Sequence, residues 1–94
     1  MVKAAPMNRH DASCIALKLL RYLADDDARL ERFLALSGMS LGDVKEAADS
    51  ETFQAGVLDF ALSDESLLLA FAANEGLQPK KIVQLRAYLP GFAQ

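Results

Sequence analysis

Ser63-Asp-Glu-Ser-Leu-Leu-Leu-Ala-Phe-Ala-Ala-Asn-Glu-Gly76 reads as one capped helix with its own stop. Ser63 can accept the first free backbone N–H groups, and Asp64 and Glu65 sit where the helix dipole is positive. Gly76 can take the left-handed conformation that ends a helix after Leu67, Leu68, Leu69 and Phe71. The run Leu67 to Ala73 is apolar nearly all round, so this helix is expected to be central or partly covered by a partner.

The same punctuation recurs on both sides. A first helix runs from about Asp11 to Ala24 with Ile15, Leu19, Tyr22 and Leu23 at helical spacing, capped by Asp11 or Asn8. A second follows Asp25, Asp26 and Asp27, carries Leu30, Phe33, Leu34 and Leu36, and stops at Gly38. Ser40 and Asp43 form a variant capping box for a short third helix with Val44, Ala47 and Ala48, ending near Asp49. Ser50 caps a fourth, where Phe53, Val57, Leu58, Phe60, Ala61 and Leu62 predict a deep position. Pro79 suits the first turn of a sixth, with Ile82, Val83, Leu85 and Leu89, closed by Pro90 and Gly91. No segment alternates as a strand does, and no Asn-Gly or Asp-Gly hairpin turn occurs. The expectation is an all-α single domain of six helices over 11–94, preceded by a flexible segment, 1–10.

Two stretches share their phasing: Phe33 to Met39 and Phe71 to Leu77 lie at a constant offset of 38, as both 71 − 33 and 76 − 38 give. Ile15 then aligns with Phe53, Tyr22 with Phe60, Asp26 with Asp64 and Val44 with Ile82. Two three-helix units packed about a pseudo-twofold axis would explain this. So would coincidence, because helical proteins reuse capped helices with a glycine stop.

Composition sets the class. Apolar residues are 52% of the 94, with Ala and Leu prominent and β-branched residues scarce, which favours helix. A net charge of −3 repels a phosphate backbone, so nucleic acid is not an expected partner. The lone cysteine, Cys14, cannot make an internal disulfide, and no signal-peptide pattern opens the chain, so the cytoplasm is expected. The longest apolar run is far shorter than the roughly 20 residues a membrane span requires.

Chemistry is sparse. His10 is the only histidine, and with Cys14 at i, i+4 it offers at most half a zinc site, with Asp11 the sole nearby addition. Asp25, Asp26 and Asp27 could hold a cation, but capping and the helix dipole already explain them. Arg29 can pair with Asp25, while Arg32 reaches back only towards Ala28. Lys80, Lys81 and Arg86, with Lys45, are the nearest thing to an anion-binding patch; a solvated face is the plainer reading. Gly56, inside the fourth helix, costs about 1 kcal/mol against Ala unless a neighbouring helix comes close. No catalytic, cofactor-binding or metal residues are assigned, and no enzyme activity or cofactor is expected.

Three stretches carry a resemblance: Arg29-Leu-Glu-Arg-Phe-Leu-Ala-Leu-Ser-Gly38, Val57-Leu-Asp-Phe60 and Asp64-Glu-Ser-Leu-Leu-Leu-Ala-Phe-Ala-Ala-Asn74. With them the chain resembles the bacterial domain-of-unknown-function family thirty-five seventy-two, from about Ala12 to Leu89, most specifically over Asp64 to Gly76. Members often have Asp-Pro at the start of the second helix; Asp26 and Asp27 stand here, which implies a less rigid turn. The resemblance implies a bacterial, cytoplasmic helical protein and carries over no site. The leading expectation is a non-enzymatic protein–protein interaction module or homodimer, associating through apolar surface on the second, fourth or fifth helix. The alternative is a small-ligand or anion-binding domain using Lys80, Lys81 and Arg86. Behind both stands a DNA-binding helix-turn-helix of the third and fourth helices, which Glu46, Asp49, Glu51 and Asp59 disfavour.

Overall fold

The computed structural model describes residues 7–91. Six helices follow one another: α1 (Arg9–Ala24), α2 (Asp27–Ser37), α3 (Leu41–Ala47), α4 (Glu51–Leu62), α5 (Glu65–Glu75) and α6 (Pro79–Arg86). Among the described residues there is no strand, and the protein is an all-α single domain.

Local chemistry explains the boundaries. Asn8, with extended backbone, accepts the N–H of Asp11 and starts α1 at Arg9, two residues ahead of the expected start. Of the expected flexible segment, residues 1–6 lie outside the described residues, Met7 packs against the core, and Arg9 and His10 are helical. Asp26 accepts from the N–H groups of Ala28 and Arg29 to start α2. Ser40 and Asp43 complete a reciprocal capping box at α3, and Ser50 accepts from Phe53 at α4. Asp64, rather than Ser63, caps α5; Ser63 instead closes α4, its hydroxyl donating to the carbonyl of Phe60. Gly38 and Gly76 end α2 and α5 at φ 72° and 69°, where a side chain would be strained. Pro79 opens α6, which ends at Arg86, so Leu89 enters the core from a following turn.

α1 is the spine. Ala12, Ala16, Leu19 and Leu23, at helical spacing, are all at most 1% exposed, and α1 packs against α2, α4 and α6. α4 buries Ala55, Val57, Leu58 and Ala61 and turns Thr52, Gly56 and Asp59 outward. The expected depth of α4 is thus met, and its apolar residues are turned largely to the core rather than to a partner. Phe33 stands edge-on to both Phe53 and Phe60, and Tyr22 tilts against Phe71, joining α2 to α4 and α1 to α5.

Two polar groups cross this interior, each satisfied. Gln54 is 3% exposed; Ser13 donates to its carbonyl oxygen and its amide donates to the carbonyl of Ala48 at 2.9 Å. Arg86 is 5% exposed, with Nε and Nη2 on the two Asp59 oxygens at 2.7 and 3.1 Å and Nη1 on the Leu89 carbonyl.

The offset of 38 persists in the boundaries, since α2 and α5 occupy corresponding positions between matching Asp and Gly caps. The packing does not follow it, and the two halves do not form equivalent interfaces. α6 is seated against α1, α4 and α5, whereas α3 approaches the other helices only marginally. Side chains explain the difference: α6 and its turn bury Ile82, Leu85 and Leu89, while the matching positions are Val44, Ala47 and Glu51.

Candidate functional site

Two of the concavities among the described residues combine apolar lining with arginine or lysine side chains at their edges. The first is a groove of about 300 Å³ between α1, α2 and α3. Leu17, Leu20 and Ala24 of α1 form one wall, Leu30 of α2 the end, and Leu41, Val44 and Ala48 the other wall. Its remaining lining residues are both cationic, Arg21 and Lys45, and neither has an ion-pair partner among the described residues. Leu17 is 37% and Leu41 45% exposed, so the groove presents large aliphatic groups to water. It arises because Leu17 and Leu20 widen the apolar stripe of α1 beyond what α4 and α6 cover, and the short α3 carries only Val44 to close over it.

The second is a hollow of about 270 Å³ where α2 faces α5. Leu23, Phe60, Leu67 and Ala70 line its floor, with Arg29, Arg32, Asp64 and Ser66 at the margin. Arg29 lies over the Tyr22 ring, 4.3 Å from its centroid, and pairs with Asp26 at 3.8 Å. The partner expected from spacing was Asp25, but that residue closes α1. Arg32, expected to lack a partner on its own helix, reaches Asp64 of α5 at 3.6 Å. The long-range pair was invisible to spacing within one helix.

The basic patch expected from Lys80, Lys81, Lys45 and Arg86 is not assembled. Arg86 is buried on Asp59, Lys80 and Lys81 are exposed on α6, and Lys45 lies across the molecule's sequence on α3 at the groove. The need for a partner lies with Arg86, which is buried, whereas Asp59 is half-exposed and gave no sign in the sequence that it would meet a guanidinium 27 positions on. His10 and Cys14 do meet, Nε2 to Sγ 3.5 Å, but among the described residues no group of three or more His, Cys, Asp or Glu could hold a metal ion. Asp26 serves as the cap of α2 and Asp27 as its first residue. Gly56 admits no close neighbour: a Cβ there would meet nothing within 4 Å. α4, the would-be recognition helix, contains neither Lys nor Arg. No helix among the described residues is long and apolar enough to cross a membrane.

Among the described residues, Asp43 is the one carboxyl with a clear shift. The Ser40 backbone N–H, and secondarily the Ser40 hydroxyl, hold it below the usual carboxylate range. This is cap chemistry at the start of α3.

Comparison with curated proteins and with solved structures finds no match for the chain. One family profile, described as Protein of unknown function (DUF3572), matches residues 9–92. That span takes in all six helices, both concavities and the Asp59–Arg86 pair, and the chain therefore belongs to the DUF3572 family.

Proposed function

We propose that this chain is a non-enzymatic interaction module, and that the α1–α2–α3 groove receives the apolar face of an amphipathic helix from a partner protein. The observation that carries the reading is the groove itself: seven apolar residues with Leu17 and Leu41 left accessible, edged by Arg21 and Lys45 and by no carboxylate. Apolar area removed from water stabilises a complex by about 25 cal/mol per Å² before association costs. The two cations select the partner, favouring a helix whose apolar stripe is flanked by Asp or Glu. The reading sets the protein in the bacterial cytoplasm, supported by a lone cysteine with no internal partner for a disulfide.

The test titrates two labelled synthetic helices, each with leucines at i, i+3, i+4 and i+7, one flanked by glutamates and one by lysines. Saturable anisotropy with the acidic peptide alone is expected. Leu41→Asp and Leu17→Asp should weaken it by about tenfold or more while leaving the fold intact, since both side chains are already exposed. Lys45→Glu should reduce its salt dependence. Equal binding of both peptides, or of neither, overturns the reading. So does a dimer in light scattering that Leu41→Asp dissolves, because a second copy would then be the occupant.

A further inference from the structure

The hollow between α2 and α5 has a chemistry unlike that of the groove. Each guanidinium carries five N–H donors, yet the Arg29 and Arg32 side chains make no hydrogen bond among the described residues. Their ion pairs, 3.8 Å to Asp26 and 3.6 Å to Asp64, are longer than hydrogen bonds. The two carboxylates divide their oxygens between two duties. Asp26 accepts the N–H groups of Ala28 and Arg29, and Asp64 that of Leu67, each through Oδ1, which leaves one oxygen, Oδ2, facing each arginine at 3.8 and 3.6 Å, so each fork keeps donors to spare. Arg29 is meanwhile fixed in place by the face of Tyr22. Two positioned cations with open donors thus stand beside an apolar floor of Phe60, Leu67 and Ala70, against a single lining carboxylate, Asp64.

We propose that this hollow is a binding site for a small carboxylate with an apolar tail. The tail would lie on Phe60, Leu67 and Ala70, and the carboxylate between Arg29 and Arg32, whose planar forks match its two oxygens. The site is separate from the groove, so either can fail without the other.

The probe is octanoate, titrated below its micelle concentration into the full chain and followed by backbone amide shifts. Saturable shifts are expected at Phe60, Ser66 and Ala70, with Leu41 and Val44 of the groove unmoved. Octan-1-ol lacks the charge and should bind at least roughly tenfold more weakly, the worth of one charge-assisted hydrogen bond. Inorganic phosphate lacks the tail and should also bind at least roughly tenfold more weakly, the worth of about two buried methylenes. Arg32→Gln and Arg29→Gln should each weaken octanoate by a similar factor; both side chains are substantially exposed, at 64% and 40%, so the fold should persist. Ala70→Leu keeps a strong helix former at an exposed position and should block the hollow. Octanol binding as well as octanoate, phosphate matching it, unaltered affinity in Ala70→Leu, or absence of saturation would each overturn the proposal.

Discussion

The guanidinium of Arg86 lies between α4 and the turn after α6, bonded to both oxygens of Asp59 and to the carbonyl of Leu89. A buried charge is tolerated only when its donors are met, and removing the partner costs more than the pair is worth. Asp59 is itself half-exposed, so water can partly replace it, and Asp59→Ala should destabilise by about 2 kcal/mol rather than the larger loss seen for fully buried pairs. Arg86→Met in the same chain should restore most of that loss, and a denaturant double-mutant cycle measures the coupling. Gly56 acts in the opposite direction. It pays the backbone entropy of a helical glycine with no close neighbour to compensate, so Gly56→Ala should stabilise by about 0.5–1 kcal/mol, visible as a melting temperature several degrees higher. A loss of stability there would contradict the open space around Gly56.

Among the elements, α3 ties stability to pH most directly. Asp43 is held below the usual carboxylate range, chiefly by the Ser40 backbone N–H and then by the Ser40 hydroxyl. A depressed folded-state value means that the cap's contribution is present at neutral pH and is lost as pH falls from the ordinary carboxylate value through the folded one. Ser40→Ala should therefore raise the Asp43 value only part of the way, since the backbone donor remains, as a carboxyl-carbon NMR titration will read. Asp43→Asn should flatten the part of the melting-temperature profile that falls as pH drops below the ordinary carboxylate value. Caps of this kind made the helices legible: Asp26, Ser40, Ser50, Pro79, Gly38 and Gly76 act within three or four residues of themselves, and that is the range a linear pattern exposes. The slip at Ser63 has the same origin, because Ser63 and Asp64 are adjacent candidates and only geometry assigns one to end α4 and the other to begin α5. What lay beyond reach was pairing across distance. Arg86 with Asp59, Arg32 with Asp64 and Gln54 with Ser13 depend on how helices cross, so lysines and arginines judged by neighbours alone were grouped into a patch that does not form.

For the whole molecule, the unequal seating of α3 and α6 sets the order in which parts open. α3 is fastened by Val44 and its cap, whereas α6 is fastened by Ile82, Leu85 and Leu89 and by the Arg86 clamp. Native-state hydrogen exchange should find the α3 amides opening at free energies well below the global value, and those of α1 and α4 near it. Uniform protection across all six helices would contradict this. Both concavities were equally hidden from the sequence, because each is defined by three or more elements and by which side chains those elements leave uncovered. α1 has a last consequence, which concerns synthesis. Its inner row, Ala12, Ala16, Leu19 and Leu23, is covered from sites on α4 and α6 far along the chain. A polypeptide still emerging from the ribosome therefore carries that oily row only partly covered until α4 and then α6 have been released, and this interval is when chaperones would have something to hold.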